Sequence, residues 1–233
     1  MKQILVIIIL FLTLESHLFA QEKLVLSRGG SVYNILSEKV LHEAYKRIGI
    51  TIRIEAFPSE RSLTMANIGD IDGEILRSTK IQKEYPNLIL IKVPVVSLKV
   101  VVFSKNHEFP IQGWESLKPY SIAIVRGMKP VENKLKGMTY YKVHHFQQAF
   151  QMILNGRVDI AIHTFGDGKF IIKEHKLKGI KVLEPPIMEV KGYHYLHKKH
   201  ENLVSRITDS LQQMENEKLI QKMQADFEES LSN

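Results

Sequence analysis

The sequence predicts an α/β protein of two lobes joined by a two-stranded β hinge, and three observations lead to this fold class. Short strand-like runs alternate with amphipathic helical runs, an order that is typical of largely parallel sheets. Two units of this kind follow one another along the chain. The extended stretches 88–104 and 190–196 lie between and after these units, where they can carry the chain out of the first lobe and back into it.

The first unit contains three strands and two helices. A strand over 23–27 ends at a Gly-Gly loop, and apolar residues at helical spacing then predict a helix over 32–48. A second strand over 51–56 precedes Pro58, and Ser59 is the predicted N-cap of the next helix. The remaining predicted elements are that helix over 59–66, a stop near Gly69 and a third strand over 71–76.

The second unit repeats the alternation. Pro94 is predicted to divide the long stretch 88–104, and Pro185-Pro186 to break the chain before its return at 190–196. The C-terminal stretch 203–231 predicts one long amphipathic helix or two. Between these features we expect a helical turn over 114–117, strands over 120–125, 139–143, 159–163 and 180–183, and helices over 131–135, 146–154 and 169–176.

The N-terminus has the three regions of a secretory signal peptide. Lys2 is followed by an apolar run over 4–14 and by a more polar stretch that ends at Ala20. The run is shorter than the roughly 20 apolar residues that cross a bilayer, so we expect cleavage after Ala20, with an uncleaved anchor as the alternative. The chain has no cysteine, which argues against a lipoprotein and against disulfides. The expected location is the periplasm.

The composition indicates a basic protein with a net charge of +7. Such a surface favours acidic partners, among them anionic solutes, the cell envelope and nucleic acids. The lysines are scattered without interleaved aromatic residues, and export also argues against nucleic acid. We therefore expect no nucleic-acid partner and interpret most of the charge as a solvated face.

Basic side chains stand where two predicted strands of the first unit end. Arg77 follows the strand 71–76, and Arg61 lies in the first turn of the helix after the second strand. Ligands of open α/β sheets bind at the carboxyl ends of strands, and guanidinium groups pair well with carboxylates. We therefore expect a small anionic or zwitterionic ligand here. The alternative for Arg77 is a salt bridge with Glu60 or Glu74.

The Gly-Gly loop before the first helix is a second candidate element. Glycine lets a ligand approach the backbone closely, and free N–H groups at the start of a helix can bind an anion; the alternative is an ordinary turn. Ser31 and Tyr33 follow this loop. Tyr33 either stacks on a ligand or belongs to the core.

The second unit offers two further strand ends. Arg126 and Gly127 precede a predicted helix, and His163 and Thr164 follow a predicted strand. His163 is either a ligand contact or a core histidine. The histidines at 194, 197 and 200 would gather on a helix, but an extended segment scatters them over both faces, so no metal is expected. The candidate ligand contacts are Arg77, Arg61, Tyr33, Ser31, Arg126, Gly127, His163 and Thr164.

A set of short motifs runs through the chain in a fixed order. They are Arg28-Gly29-Gly30 after the first strand, 66–73 at a helix-to-strand turn, 114–118 at the opening of the second unit, 124–127 at a strand end and 149–161 around Gly-Arg-Val-Asp. In this order they resemble bacterial periplasmic solute-binding proteins of family 3, which include the polar amino-acid receptors of ABC importers.

The resemblance implies the type II periplasmic binding fold, in which two lobes close on a solute. The first lobe would comprise 22–103 plus 188–233 and the second 104–187. It implies a monomer without cofactor or catalytic activity that delivers its solute to a membrane permease. Two alternatives remain open, a lyase similar to cyclohexadienyl dehydratases on the same fold and a receptor for a separate envelope sensor.

The chain departs from the family pattern at three places that contact the ligand in its relatives. The region 78–84 lacks the arginine of the Thr-x-x-Arg segment, so Arg77 is the candidate to replace it. Gly127-Met128-Lys129 stands where the family has Gly-Thr/Ser-Thr. His163-Thr164 stands where the family has an aspartate, and the nearest acid is Asp167. An ordinary α-amino acid is therefore in doubt as the ligand.

Overall fold

The computed structural model describes residues 23–232, which form eight strands and seven α-helices. The predicted signal peptide, 1–20, lies outside these residues. The strands are β1 (Lys23–Arg28), β2 (Thr51–Ala56), β3 (Gly73–Arg77), β4 (Leu88–Ser104), β5 (Ile122–Val125), β6 (Tyr140–Val143), β7 (Ile160–Thr164) and β8 (Lys181–His197). The helices are α1 (Tyr33–Arg47), α2 (Ser59–Ile68), α3 (Lys129–Lys134), α4 (Phe146–Leu154), α5 (Phe165–Glu174), α6 (Glu201–Asn216) and α7 (Leu219–Ser232).

The eight strands form one sheet in the order β2-β1-β3-β8-β4-β7-β5-β6. Strands pair in parallel at each end of the sheet, β1 with β2 and β3, and β5 with β6 and β7. The long strands β4 and β8 pair antiparallel with each other in the middle. The predicted two-stranded hinge is therefore present as the antiparallel centre of a mixed sheet.

The prolines do not interrupt the two long strands, contrary to the prediction. Pro94 lies within β4 where the pairing with β8 shifts register on both sides of it. The pairing shifts again between Val100 and Val102 of β4, which face Met188 and Leu183, so Pro185-Pro186 occupies a bulge of β8. Because a bulge needs no N–H from the residue it contains, proline is tolerated there.

Packing separates the apolar core into halves on either side of the hinge. On the first-lobe side, α1 and α6 bury apolar faces against β1, β2 and β4, with Leu26, Leu36 and Tyr45 fully buried. On the second-lobe side, α4 covers one face of β5 and β7, and Phe150 stacks edge-on against Phe103. The domain boundaries at 103/104 and 187/188 remain predictions.

The C-terminal residues form two helices, and the second one crosses the hinge. Phe227 of α7 packs in the first-lobe core against Tyr33, with ring centroids 5.7 Å apart. The Gln224 side chain accepts from Ser97 N at 2.9 Å and donates to Ser97 O at 2.7 Å. A further contact reaches the second lobe, where Lys173 Nζ donates to Ser230 O at 3.4 Å.

Helix α2 begins at Ser59 itself, with Pro58 as the N-cap residue, so the predicted Ser59 cap is wrong by one position. Pro58 has the extended backbone that precedes a helix, and α2 ends at Gly69 in a left-handed conformation with φ 88°. None of the helices within 23–232 has both the length and the apolar composition required to cross a membrane.

Candidate functional site

A cleft of about 650 Å³ lies between the two lobes, with the hinge strands as its floor. Both lobes contribute side chains, and Gly192 of the hinge leaves the room into which Leu76 packs. The lining combines apolar, basic and acidic groups. The lining residues are Glu60, Leu63, Leu76, Arg77, Ser78, Ile81, Glu84, Tyr85, Leu98, Gly127, Lys129, Val190, Lys191 and Gly192.

Arg77 lies in the first-lobe wall of this cleft, and its guanidinium is held by a buried acid. Its Nε donates to Glu74 Oε2 at 2.8 Å, and only 13% of its side chain is exposed. Glu74 is 1% exposed. The hydroxyls of Ser27, at 2.8 Å, and Ser62 donate to the other oxygen, Oε1. The carboxylate is thus fully satisfied, and it fixes the guanidinium through a charge-assisted hydrogen bond.

The backbone of β3 explains why Arg77 lies at the cleft wall. The pairing of β3 with β8 shifts register between Glu74 and Arg77, which marks a bulge. A bulge turns the side chains beyond it, and here it brings residues 74 and 77 together as an ion pair. Arg77 was expected to follow the strand, whereas it is the last residue of β3.

A buried histidine supports the same segment from the side of the core. His194 Nδ1 lies 2.8 Å from the Glu74 carbonyl oxygen, so this nitrogen carries the proton. Its Nε2 therefore accepts from the Tyr45 hydroxyl at 2.8 Å. Burial lowers the pKa of His194 to about 4, which keeps the ring neutral at pH 7.

The second-lobe wall is formed around Gly127 and Lys129. The Gly127 N–H donates to Glu132 Oε1 at 2.9 Å, and Lys142 Nζ donates to Glu132 Oε2 at 3.0 Å. The Lys142 contact lowers the pKa of Glu132, and Glu132 in turn raises the pKa of Lys142. The backbone donor that the sequence offered to a solute is therefore satisfied by a carboxylate of the same lobe.

At the Gly-Gly loop, the two lobes contact each other directly. Asp167 in the first turn of α5 accepts from Val32 N at 2.8 Å and from Ser31 Oγ at 3.0 and 3.1 Å. Thr164 Oγ1 donates to the same carboxylate at 2.5 Å. The predicted anion donors at the start of the first helix thus hold an anion, and it is supplied by the protein.

Tyr33 is fully buried next to this contact and belongs to the core, one of its two predicted alternatives. Its hydroxyl accepts from Gly166 N at 3.1 Å across the lobes. A Cβ atom at Gly166 would lie only 2.8 Å from Tyr33 Cε2, so the close approach requires glycine. Burial raises the pKa of Tyr33, which therefore stays protonated.

His163 lies behind Thr164 rather than open to solvent. Its Nδ1 is 3.2 Å from Thr164 Oγ1, and its ring centroid is 4.1 Å from that of Phe146. Because the Thr164 proton is directed at Asp167, the Nδ1 atom of His163 is the donor to Thr164. Burial lowers the pKa of His163.

The structure brings the predicted residues together in two groups. Ser31, Tyr33, His163 and Thr164 meet at the interlobe contact around Asp167, while Arg77 and Gly127 line the cleft. Arg61 lies on the exposed side of α2, with its guanidinium carbon 6.0 Å from the Phe57 ring centroid. Arg126 is exposed, and its backbone N–H donates to Val143 O at 2.9 Å. Ligand contact by these eight residues remains a prediction.

Four functional candidates were not predicted, or were predicted only in part, from the sequence. Glu74 was named as an alternative partner of Arg77 and, with Glu60 and His163, as a possible acid–base residue of the lyase, and Asp167 only as the nearest acid. Lys129 and Lys191 of the cleft lining were not named as contacts. The position of Lys129 beside Gly127 offered a signal for one of them, whereas Lys191 depends on the pairing of the hinge strands.

A second groove, of about 780 Å³, lies at the outer edge of the first lobe, between β2, α1 and α7. It includes Lys39, Lys46, Ile52 and Met223 and does not share residues with the interlobe cleft. Among residues 23–232, no group of three His, Cys, Asp or Glu side chains is placed to hold a metal ion.

No family model matches the chain. An uncharacterized protein from Shewanella oneidensis is 27% identical over 208 residues, which cover 83% of this chain and 77% of that protein. Solved structures give closer evidence on the fold. An ancestral arginine-binding protein bound to glutamine superposes with a TM-score of 0.65 at 16% identity, over 89% of this chain and 98% of that one.

Receptor domains show the same similarity. A histidine kinase sensor domain with similarity to periplasmic binding proteins has a TM-score of 0.67 at 14% identity, over 89% of this chain and 96% of that one. The BvgS VFT2 domain of Bordetella pertussis has a TM-score of 0.67 at 14% identity, over 87% and 92% of the two chains. The topology and these similarities together show that the chain has the bilobal type II periplasmic binding fold.

Proposed function

We propose that this chain is a periplasmic solute-binding protein that captures a small anionic or zwitterionic solute in the interlobe cleft. The observation that carries the proposal is Arg77, whose guanidinium is fixed by the buried Glu74 in the wall of a cleft of about 650 Å³. A preorganised guanidinium binds a carboxylate at a lower entropic cost than a mobile one.

The charges of the lining favour a zwitterion or a monoanion of modest size. Lys129 and Lys191 add positive charge on the second-lobe and hinge sides, and Glu60 and Glu84 add negative charge on the first-lobe side. Tyr85 donates to Glu60 Oε2 at 3.1 Å, which orients that carboxylate. In this arrangement, the carboxylate of the solute contacts Arg77, while an amino group can contact Glu60 or Glu84.

Binding is coupled to the hinge, because the cleft takes its walls from both lobes and its floor from β4 and β8. A solute that contacts both walls stabilises the closed arrangement by its differential affinity for that state. Presentation of the solute-loaded form to a membrane permease or to an envelope sensor is part of the proposal. The similarity to a histidine kinase sensor domain favours the sensor as the second candidate.

Of the three possible acid–base residues, Glu60 lines the cleft and accepts from the Tyr85 hydroxyl, whereas the surroundings of Glu74 and His163 favour binding over catalysis. Glu74 has both carboxylate oxygens occupied by Arg77, Ser27 and Ser62. His163 is engaged with Thr164 and covered by Phe146. Neither group is poised to exchange a proton with a molecule in the cleft, which a dehydratase would require.

The test is a thermal-shift screen of residues 21–233 against amino acids, dicarboxylates, small aromatic acids and sugars. A solute that binds only the folded state adds about 2.7 kcal/mol of stability at a hundredfold excess over its Kd. We expect a carboxylate-bearing solute to raise the Tm of the parent protein. The Arg77→Ala variant should lose at least tenfold in affinity for that solute by isothermal titration.

The matched control is Arg53→Ala, an arginine of the same lobe that pairs with Glu55 and whose side chain is 56% exposed away from the cleft. It should respond to the solute as the parent does. Because Arg77→Ala also leaves Glu74 unpaired, solute-induced shifts are compared rather than absolute Tm values. No response to any solute, or equal responses in both variants, would contradict the proposal. Turnover of a prephenate-like acid by the parent would favour the lyase instead.

A further inference from the structure

We propose that Asp167 is an internal anion that substitutes for a solute carboxylate at the Gly-Gly loop, holds the two lobes closed without solute, and directs a solute's carboxylate to Arg77. This inference concerns the specificity of the same cleft, and it rests on the proposed function for the role of Arg77. The part of the inference that concerns lobe closure can be tested without any solute.

At the Gly-Gly loop, the hydroxyl of Ser31 and the backbone N–H of Val32 are both occupied by Asp167. Val32 N, at the start of α1, reaches Asp167 Oδ1 at 2.8 Å, and the Ser31 hydroxyl reaches both oxygens. From the second lobe, Thr164 donates to Oδ2 at 2.5 Å. Donors of both lobes thus converge on one carboxylate, as they would on a bound solute. The positive end of the α1 dipole adds to the attraction.

The approach of the lobes is built into the backbone of α5. Gly166 N donates to the buried Tyr33 hydroxyl, and no side chain fits between them. A Cβ atom at Gly168 would collide with Phe103 Cζ, so the same turn of α5 also packs directly on β4. Asp167 lies between these two glycines and is presented to the first lobe by a rigidly seated turn.

Occupation of this loop also affects the specificity of the cleft. Because the carboxylate of Asp167 saturates Ser31 and Val32, a solute anion gains nothing at this loop and would face a like charge. Among the described lining residues of the first-lobe wall, the cation is Arg77, which has the geometry for a carboxylate. The departure at Gly127, whose N–H is taken by Glu132, removes the corresponding donor on the second lobe. Two internal acids therefore leave the anion of the solute to the Arg77 side.

The experiment measures the distance between the lobes in the absence of solute. The chain has no cysteine, so Asp70→Cys with Lys136→Cys gives one spin-label pair on exposed turns of the two lobes. Pulsed electron–electron double resonance should show a single short distance between the two labels in the parent. Asp167→Ala should shift the distribution to longer distances. Formate at about 100 mM, a concentration high enough to fill a weak anion site, should return this variant to the short distance. It should leave the parent unchanged.

Two further variants separate closure from folding. Gly166→Ala should open the lobes, because its Cβ collides with Tyr33, and formate should not restore closure. Glu174→Ala removes an exposed acid of the same helix and should match the parent. If Asp167→Ala fails to fold, Asp167→Asn keeps the shape without the charge and should open in the same way. An open parent, or an Asp167→Ala variant as closed as the parent, would overturn the inference.

The results are separable from those of the solute screen. Arg77-dependent solute binding in a protein that Asp167→Ala does not open would leave the proposed function intact and remove the internal anion. Formate-dependent closure without any response to a solute would support the internal anion and contradict the proposed function. A solute whose affinity falls equally in Asp167→Ala and Arg77→Ala would contradict the assignment of its anion to the Arg77 side.

Discussion

At the scale of single residues, the pair of Glu74 and Arg77 connects stability with binding. Both side chains are largely withdrawn from water, with exposures of 1% and 13%. Buried charges are stabilised by their partner, and loss of one partner leaves the other as an uncompensated buried charge. The same contact that fixes the guanidinium for a ligand is therefore a contact that the fold needs.

We predict that Arg77→Ala lowers the free energy of unfolding by about 3 kcal/mol, because it leaves a buried carboxylate with only its two serine donors. The double variant Arg77→Leu with Glu74→Gln should recover much of this loss. Urea denaturation of the parent, Arg77→Leu, Glu74→Gln and the double variant forms a double-mutant cycle that measures the coupling. A loss that is additive over the two sites would show that the pair is not coupled.

The buried His194 gives a prediction about pH. Its folded pKa of about 4 lies below the unfolded value of 6.5, so the unfolded chain binds the proton first as the pH falls. Stability is unaffected above pH 6.5 and decreases between pH 6.5 and pH 4. The loss from this group amounts to about 3 kcal/mol. His163 acts in the same direction, since burial lowers its pKa as well.

Urea midpoints measured from pH 7.5 to pH 4 test this dependence. His194→Gln should be less stable than the parent at pH 7 but should lose less stability on acidification, because it has no ring to protonate. If the parent and this variant have the same slope against pH, the neutral buried histidine is not the cause.

Most of the candidate site residues could be predicted from the sequence, but the groups that they contact could not. Strand ends can be located from periodicity, and the carboxyl ends of strands are where Arg77, Gly127 and Thr164 lie. Which group each one contacts depends on the bulge in β3 and on the approach of α5 to α1. Neither feature leaves a periodic signal, so Asp167 was not recognised as the partner of Ser31.

At the scale of elements, the predicted helices and strands agree with the structure to within a few residues at most ends. Strand β2 and helix α4 match their predicted bounds. The main errors concern proline, at Pro94 and Pro185-Pro186, because a bulge accepts a residue without an N–H and local sequence does not reveal where a bulge will form. Helix α5 also begins earlier than predicted, at Phe165, in a Gly-rich turn with weak helical propensity.

Helix α7 provides the prediction at this scale, because it ties the C-terminus to the hinge strand β4. Gln224→Ala removes both hydrogen bonds to the Ser97 backbone. We expect a loss of about 1–3 kcal/mol in the free energy of unfolding, since partly buried backbone groups lose their partner. Gln221→Ala, an exposed position of the same helix, is the matched control and should change stability by less than about 0.5 kcal/mol.

Urea denaturation of the two variants decides the point. Equal effects at 224 and 221 would mean that α7 contributes through its apolar face, with Phe227, and not through the contact with the hinge backbone.

At the scale of the whole molecule, the continuous sheet and the divided core impose different expectations. Strands β4 and β8 run through both lobes, which favours unfolding as one unit. The apolar side chains, by contrast, pack in separate halves, and the second half is built from one contiguous segment of chain. The order of elements predicted this two-lobe layout, while the fusion of both lobes into one sheet follows only from the antiparallel pairing of β4 with β8.

We predict that the divided core dominates, so that the second lobe can open while the first remains folded. Phe150→Ala removes a fully buried ring of the second-lobe core that contacts Phe103 and Phe146, at a cost of about 3–5 kcal/mol. Hydrogen exchange followed by mass spectrometry should show faster exchange of amides within 104–187. Amides of β1, β2 and α1 should keep the protection of the parent.

The matched variant in the other lobe is Leu36→Ala, at a fully buried position of α1. It should accelerate exchange in 23–103 and 188–232, including α6 and α7, which share its core. Because β4 and β8 belong to both lobes, their amides near 93–99 and 188–194 should respond in part to each variant. Acceleration of both lobes by Phe150→Ala alone would show that the sheet makes the molecule a single cooperative unit, and would contradict the domain boundaries at 103/104 and 187/188.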